Sequence, residues 1–158
     1  MVKKVTIKGA FHNSFTFPSL NDYLQACGYS PMKGAKLKKD CEMICAMELR
    51  KQLLRTTFEP PVCFHYKFYE PTKARSRKRD CANIFSMFDK CFEDAFVHCG
   101  YIKDDGPAYM LMPTAEHYFT DGVPYIEIYI EDGLEKGTNT YIFKVDEVIN
   151  ELPRNTDN

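Results

Sequence analysis

Two hydrophobic periods of different kind, separated by a short basic stretch, constrain this chain more than any other feature. From Val62 to Glu70 the residues alternate, with Val62, Phe64, Tyr66 and Phe68 on one side and Cys63, His65, Lys67 and Tyr69 on the other. A period of two is that of a sheet strand. From about Asn83 to Cys99 the apolar residues Ile84, Phe88, Cys91, Phe92, Ala95, Phe96 and Cys99 recur at helical spacing instead. That pattern lines one face of an α-helix, and Gly100 stands where helices commonly stop. A strand and a helix with apolar faces bury them in one shared core.

Weaker signals fill in the rest. Residues 3–8 alternate as a first strand, and Ser19 is placed to cap a short helix beginning Leu20-Asn21-Asp22. A long helical window runs from Gly34 to about Arg55, with Leu37, Cys41, Ile44 and Cys45 as its stripe, and Glu59-Pro60-Pro61 breaks it. Asp104-Asp105-Gly106-Pro107 reads as a turn before a third strand near Tyr109–Met112, and Val123–Glu131 reads as a fourth. Beyond Asp132 the expectation is a glycine-containing loop, an extended stretch at Tyr141–Val145 and a short helix at Asp146–Leu152. Helices interleaved with strands predict an α/β (α+β) class, one domain with a mixed sheet and two main helices. The domain is expected over residues 1–131, followed by a C-terminal extension over 132–158.

Composition narrows the function classes. A chain of 158 residues suits one core. No apolar run is long enough for a membrane span, and the opening residues lack the apolar block of a signal peptide, so a cytoplasmic protein is expected. The seven cysteines are odd in number and form no CxxC pair, which argues against a disulfide framework or a zinc ribbon. The net charge of −1 carries no global sign of nucleic-acid binding. Locally the sign is different. Between Pro71 and Arg79 stand Lys73, Arg75, Arg77, Lys78 and Arg79 with no acid among them. Such a run repels itself unless a polyanion or acidic neighbours offset it.

Chemistry concentrates after that run. Asp80 precedes the helix, where backbone amides and the dipole favour a carboxylate. Asp104 or Asp105, returning beyond Gly100, can meet it as an oxygen-rich site for Mg²⁺, with Lys90 as a cation for a phosphate. Each piece also has a plainer use. Asp80 can simply cap the helix, Lys90 can pair with Asp94 or Glu93 on a solvated face, and Asp-Asp-Gly is common turn chemistry.

The segment Arg79-Asp80-Cys81-Ala82-Asn83, followed by Lys90, Asp94-Ala95-Phe96, Gly100 and Asp104-Asp105-Gly106, resembles the signature of RusA-like Holliday-junction resolvases of phage and prophage type. Leu20-Asn21-Asp22-Tyr23 and Gly34-Ala35-Lys36-Leu37 are similar to their N-terminal part, so the resemblance spans roughly residues 3–131. It implies a homodimeric, Mg²⁺-dependent endonuclease that nicks four-way DNA junctions in recombination and repair. Asp80 and Asp105 would be metal ligands, with Asp104 the weaker candidate, and Lys90 would assist at the scissile phosphate. The cations at 73, 75, 77, 78 and 79 would hold flanking DNA. One position departs from the pattern. Where the family carries a second aspartate, this chain has Ala82. A methyl group binds no cation. The resemblance therefore implies a nuclease in which a neighbour such as Glu70, Asp89 or Asp104 substitutes, an impaired member that binds junctions without cutting them, or a residue exchanged at 82 to trap an inactive form.

Overall fold

A computed structural model describes residues 1–8, 16–72 and 79–135. The elements run β1 (Val2–Lys8), α1 (Leu20–Tyr29), α2 (Pro31–Leu53), β2 (Cys63–Pro71), α3 (Cys81–His98), β3 (Thr114–Thr120) and β4 (Tyr125–Glu131). The strands form one mixed sheet in the order β1-β4-β2-β3, in which β2 and β3 are parallel and the other pairs antiparallel. The class is α+β, as expected. No helix among the described residues is long and apolar enough to cross a membrane.

Alternation sorts the sheet into two faces. Val5 and Ile7 of β1, Phe64, Tyr66 and Phe68 of β2, and Ile126, Ile128 and Ile130 of β4 are buried on one side. There they meet Phe88, Phe92 and Phe96 of α3, a ring-packed core whose edge-to-face contacts suit the quadrupoles of the rings. Beside α3, and packed against β1 as well, α2 contributes Cys41, Cys45 and Leu49. The cysteines of the described residues are all free, and the buried ones serve as small apolar side chains. α1 and α2 approach closely at one point, where a Cβ on Gly34 would fall 2.2 Å from the Cys27 sulfur.

The ends of α3 are local sequence chemistry made visible. The Asp80 carboxylate accepts from the Ala82 amide at 2.9 Å, capping the first turn. At the other end Gly100, at φ +79°, takes the left-handed conformation that favours glycine. Its amide donates to the Val97 carbonyl and the Tyr101 amide to that of Phe96, while the Tyr101 and Phe96 rings pack together. That is a Schellman closure with its apolar contact. Ser19 caps α1 in a reciprocal box with Asp22, as its position suggests.

One expectation is corrected. The third strand is Thr114–Thr120, not Tyr109–Met112; Met110 makes only an isolated bridge to Val62. The apolar run misled because its burial comes from packing beside Val62, whereas β3 carries half-exposed residues on both faces. Among the described residues the two main helices are α2 and α3, and α1 is the short helix expected after Ser19. The extended stretch and helix expected at 141–152 lie outside the described residues.

Candidate functional site

β2 delivers the chain to the basic stretch and α3 receives it. The two ends of that stretch are tied together. Arg79 donates from Nε and Nη2 to both carboxylate oxygens of Glu70, at 3.0 and 2.8 Å, and from Nη1 to the Phe17 carbonyl at 2.5 Å. Asp22 of α1 lies 3.9 Å from the same guanidinium. The Arg79 side chain is 15% exposed and Glu70 17%. A fork of donors matched to a carboxylate is the strongest form of side-chain ion pair. Arg79, read from the sequence as one of five DNA-facing cations, is thus committed within the fold. Lys73, Arg75, Arg77 and Lys78 lie outside the described residues.

Lys90 and Asp105, both singled out from the sequence, do meet. The Lys90 ammonium lies 2.9 Å from Asp105 Oδ2 and 2.9 Å from Asp94 Oδ1. Asp94 in turn accepts from Lys38 of α2, which also reaches Glu42. The result is a chain of alternating charges linking α2, α3 and the turn after α3. Asp105, then Asp94, raises the Lys90 ammonium above its usual range, and Lys90 holds Asp105 below the usual carboxylate range. Burial works against ionisation of Asp94, but Lys38 and Lys90 overcome it and hold its carboxyl low. Asp104 serves the turn itself, accepting from the Asp105 amide at 2.9 Å.

Asp80 is not brought to this cluster. A cation shared by two carboxylates at about 2.1 Å each requires their oxygens within about 4 Å. Asp80 caps the start of α3, and Lys90 lies about 15 Å further along the axis at 1.5 Å per residue. The Lys90 ammonium is bonded to Asp94, a turn further still, so Asp105 stands beside the second half of the helix. The expectation that Asp80 and Asp105 share one cation is corrected by the length of α3 between them. Ala82 is exposed in the first turn and supplies no oxygen. Among the described residues, no group of three or more His, Cys, Asp or Glu side chains is placed to hold a metal ion. Asp80 and Asp105 therefore do not share a Mg²⁺ ion as the chain stands.

A second carboxylate pair escaped sequence reading. The fully buried Tyr66 hydroxyl donates to Asp89 Oδ1 at 2.7 Å. Burial raises the Asp89 carboxyl despite that bond and the nearby Lys90. Glu93, one turn on, is raised to about 7, by burial first, then by Asp89, with Lys90 opposing and Asp105 and Asp94 adding. The i, i+4 spacing of 89 and 93 was visible. Their partial burial beside β2 was not, because it depends on which side of α3 turns to the sheet.

The geometry defines a single-domain α+β protein with a clamped basic connection and a charge ladder along its second long helix. No family model matches the chain. No curated protein matches it. Among solved structures it is similar to the periplasmic domain of Helicobacter pylori MotB at 9% identity and a TM-score of 0.36, over 95% of this chain and 92% of that one. A likeness of that size carries no argument about fold or function.

Proposed function

We propose that this chain is a RusA-like protein that binds branched DNA, such as four-way junctions, with a nuclease centre incomplete at position 82. The observation that carries the reading is the place of Ala82. It stands exposed in the capped first turn of α3, beside Asp80 and directly after the clamped basic stretch, where the resemblance calls for a carboxylate. The neighbours named as substitutes are engaged elsewhere: Glu70 by Arg79, Asp89 by Tyr66, Asp104 by its own turn. Lys73, Arg75, Arg77 and Lys78 are the cations that would meet phosphates, and such binding weakens steeply with salt. A homodimer would present two such rims to the two-fold symmetry of a junction. A cytoplasmic setting belongs to the same reading.

One observation favours the active alternative, a Mg²⁺-dependent junction resolvase: Lys90 and Asp105, two of its three carried-over site residues, do lie together. The discriminating experiment uses a synthetic four-way junction and a linear duplex of equal length. The binding reading expects salt-sensitive preference for the junction without Mg²⁺-dependent nicking. Nicking by the unaltered chain overturns it in favour of the resolvase, and equal affinity for both DNAs overturns the junction reading altogether.

A further inference from the structure

The two edges of the sheet are finished differently. At β1 the outward amide and carbonyl of Thr6 are taken by the side-chain amide of Gln52, at 2.8 and 2.7 Å, so a glutamine of α2 stands where another strand would pair. At β3 no such guard exists among the described residues. The Thr120 carbonyl accepts from Thr72 across the β2 side, so by alternation Thr114, Glu116, Tyr118 and Thr120 turn their backbone groups inward to β2. Ala115, His117 and Phe119 turn theirs outward. The strand holds no lysine, arginine or proline, the usual defences of an open edge. Phe119 is 72% exposed and Met112, just before the strand, 75%.

The strand is also complementary to itself. Turned about a two-fold axis at His117, Thr-Ala-Glu-His-Tyr-Phe-Thr sets each of its seven residues opposite a fitting one. Small Ala115 faces large Phe119 of the second copy, Glu116 faces a tyrosine hydroxyl at 118, Thr114 faces Thr120, and His117 faces its own counterpart. The same axis sets the outward residues 115, 117 and 119 opposite 119, 117 and 115, in the hydrogen-bonded positions of an antiparallel ladder. Side-chain pattern and backbone parity thus agree on one register. We propose that β3 is a dimerisation edge, pairing antiparallel with β3 of a second copy about His117 to make one continuous eight-stranded sheet. The pairing stands on the edge alone and not on any reading of DNA binding.

The test is sedimentation equilibrium of the full chain without DNA, with amide hydrogen exchange read at several concentrations. A dimer is expected in which the amides of Ala115, His117 and Phe119 gain protection as concentration rises. Phe119→Lys, at an exposed position that leaves the β2–β3 ladder intact, is expected to weaken the dimer roughly tenfold or more. A His117→Cys variant is expected to form a 117–117 disulfide on oxidation, identified by peptide mapping. A monomer at every concentration overturns the proposal; concentration-independent protection of the three amides would then show the edge covered by another segment of the same chain. A dimer indifferent to Phe119→Lys that leaves those amides unprotected overturns it as well, since its interface lies elsewhere.

Discussion

Arg79 grips Glu70 with two parallel hydrogen bonds across the mouth of the basic stretch, joining the last turn-ward residues of β2 to the residue before the cap of α3. Both side chains are mostly withdrawn from water. Arg79→Met would leave the Glu70 carboxylate without its partner, a loss of about 3–5 kcal/mol for a fully buried pair and toward the lower end or below at this exposure. Urea unfolding reads the loss. Because the guanidinium is engaged within the fold, the same variant is expected to leave the salt dependence of DNA binding unchanged. Lys78→Met is expected to lower its slope by about one, as loss of a phosphate contact does.

Restoring a carboxylate at position 82 tests the incomplete centre directly. Ala82→Asp introduces a side chain at an exposed first-turn position, where the helix dipole tolerates it and folding is unperturbed. If position 82 is all that the centre lacks, Mg²⁺-dependent nicking of four-way junctions appears in the variant and not in the parent chain. If the variant binds junctions as the parent does and still cuts nothing, the separation of Asp80 from Asp105 along α3 is the dominant defect.

Glu93 makes stability depend on pH in an unusual direction. Its carboxyl is raised to about 7 in the fold against an ordinary value of 4.5, so the folded state holds the proton more tightly than the unfolded chain does. The ionisation penalty is absent below about pH 4.5, grows between there and 7, and is complete above. Glu93→Gln is expected to unfold at higher denaturant than the parent at pH 8, with the gap closing at pH 4.5. A gap independent of pH would mean that Asp89, Asp94, Asp105 and Lys90 around it set no such balance.

Gly34 is required by the closeness of α1 and α2. A Cβ there would sit 2.2 Å from the Cys27 sulfur and 3.3 Å from its Cα. Gly34→Ala is expected to destabilise by about 1–3 kcal/mol despite the better helix propensity of alanine. Cys27→Ala in the same chain should recover part of the loss, because it removes the sulfur but not the backbone.

Tyr66→Phe removes a hydroxyl that a half-buried carboxylate depends on. The expected cost is about 1–3 kcal/mol, and the Asp89 carboxyl should titrate higher still once the bond it accepts from Tyr66 is gone.

The parts of this molecule legible in sequence are those governed by short-range rules. β2 and α3 follow from period alone, and Ser19, Asp80 and Gly100 end their helices by chemistry confined to a few neighbours. β3 was misplaced because a half-exposed parallel edge strand carries little alternation, while the apolar run before it looks more strand-like. The charge ladder was half legible: Lys90 with Asp94 is an i, i+4 pair, but Lys38 joins from 56 residues away through the packing of α2 on α3. The clamp of Arg79 on Glu70 flanks the basic stretch in plain view. Its consequence, one fewer cation for a partner, emerges only when the loop ends are seen side by side. Asp80 and Asp105 were drawn together by motif order, and the length of α3 keeps them apart.

The order of strands in the sheet has a bearing on how the chain is made. β1 is synthesised first, yet the strand it pairs with is β4, and Lys4 lies opposite Tyr129. While the ribosome works through everything between them, Val5 and Ile7 have no sheet to join. Pairing across so long a separation is slow to nucleate. Val5 and Ile7 therefore gain their sheet only after β4 has been made, so the closing of β1 onto β4 is a late step in the folding of this domain.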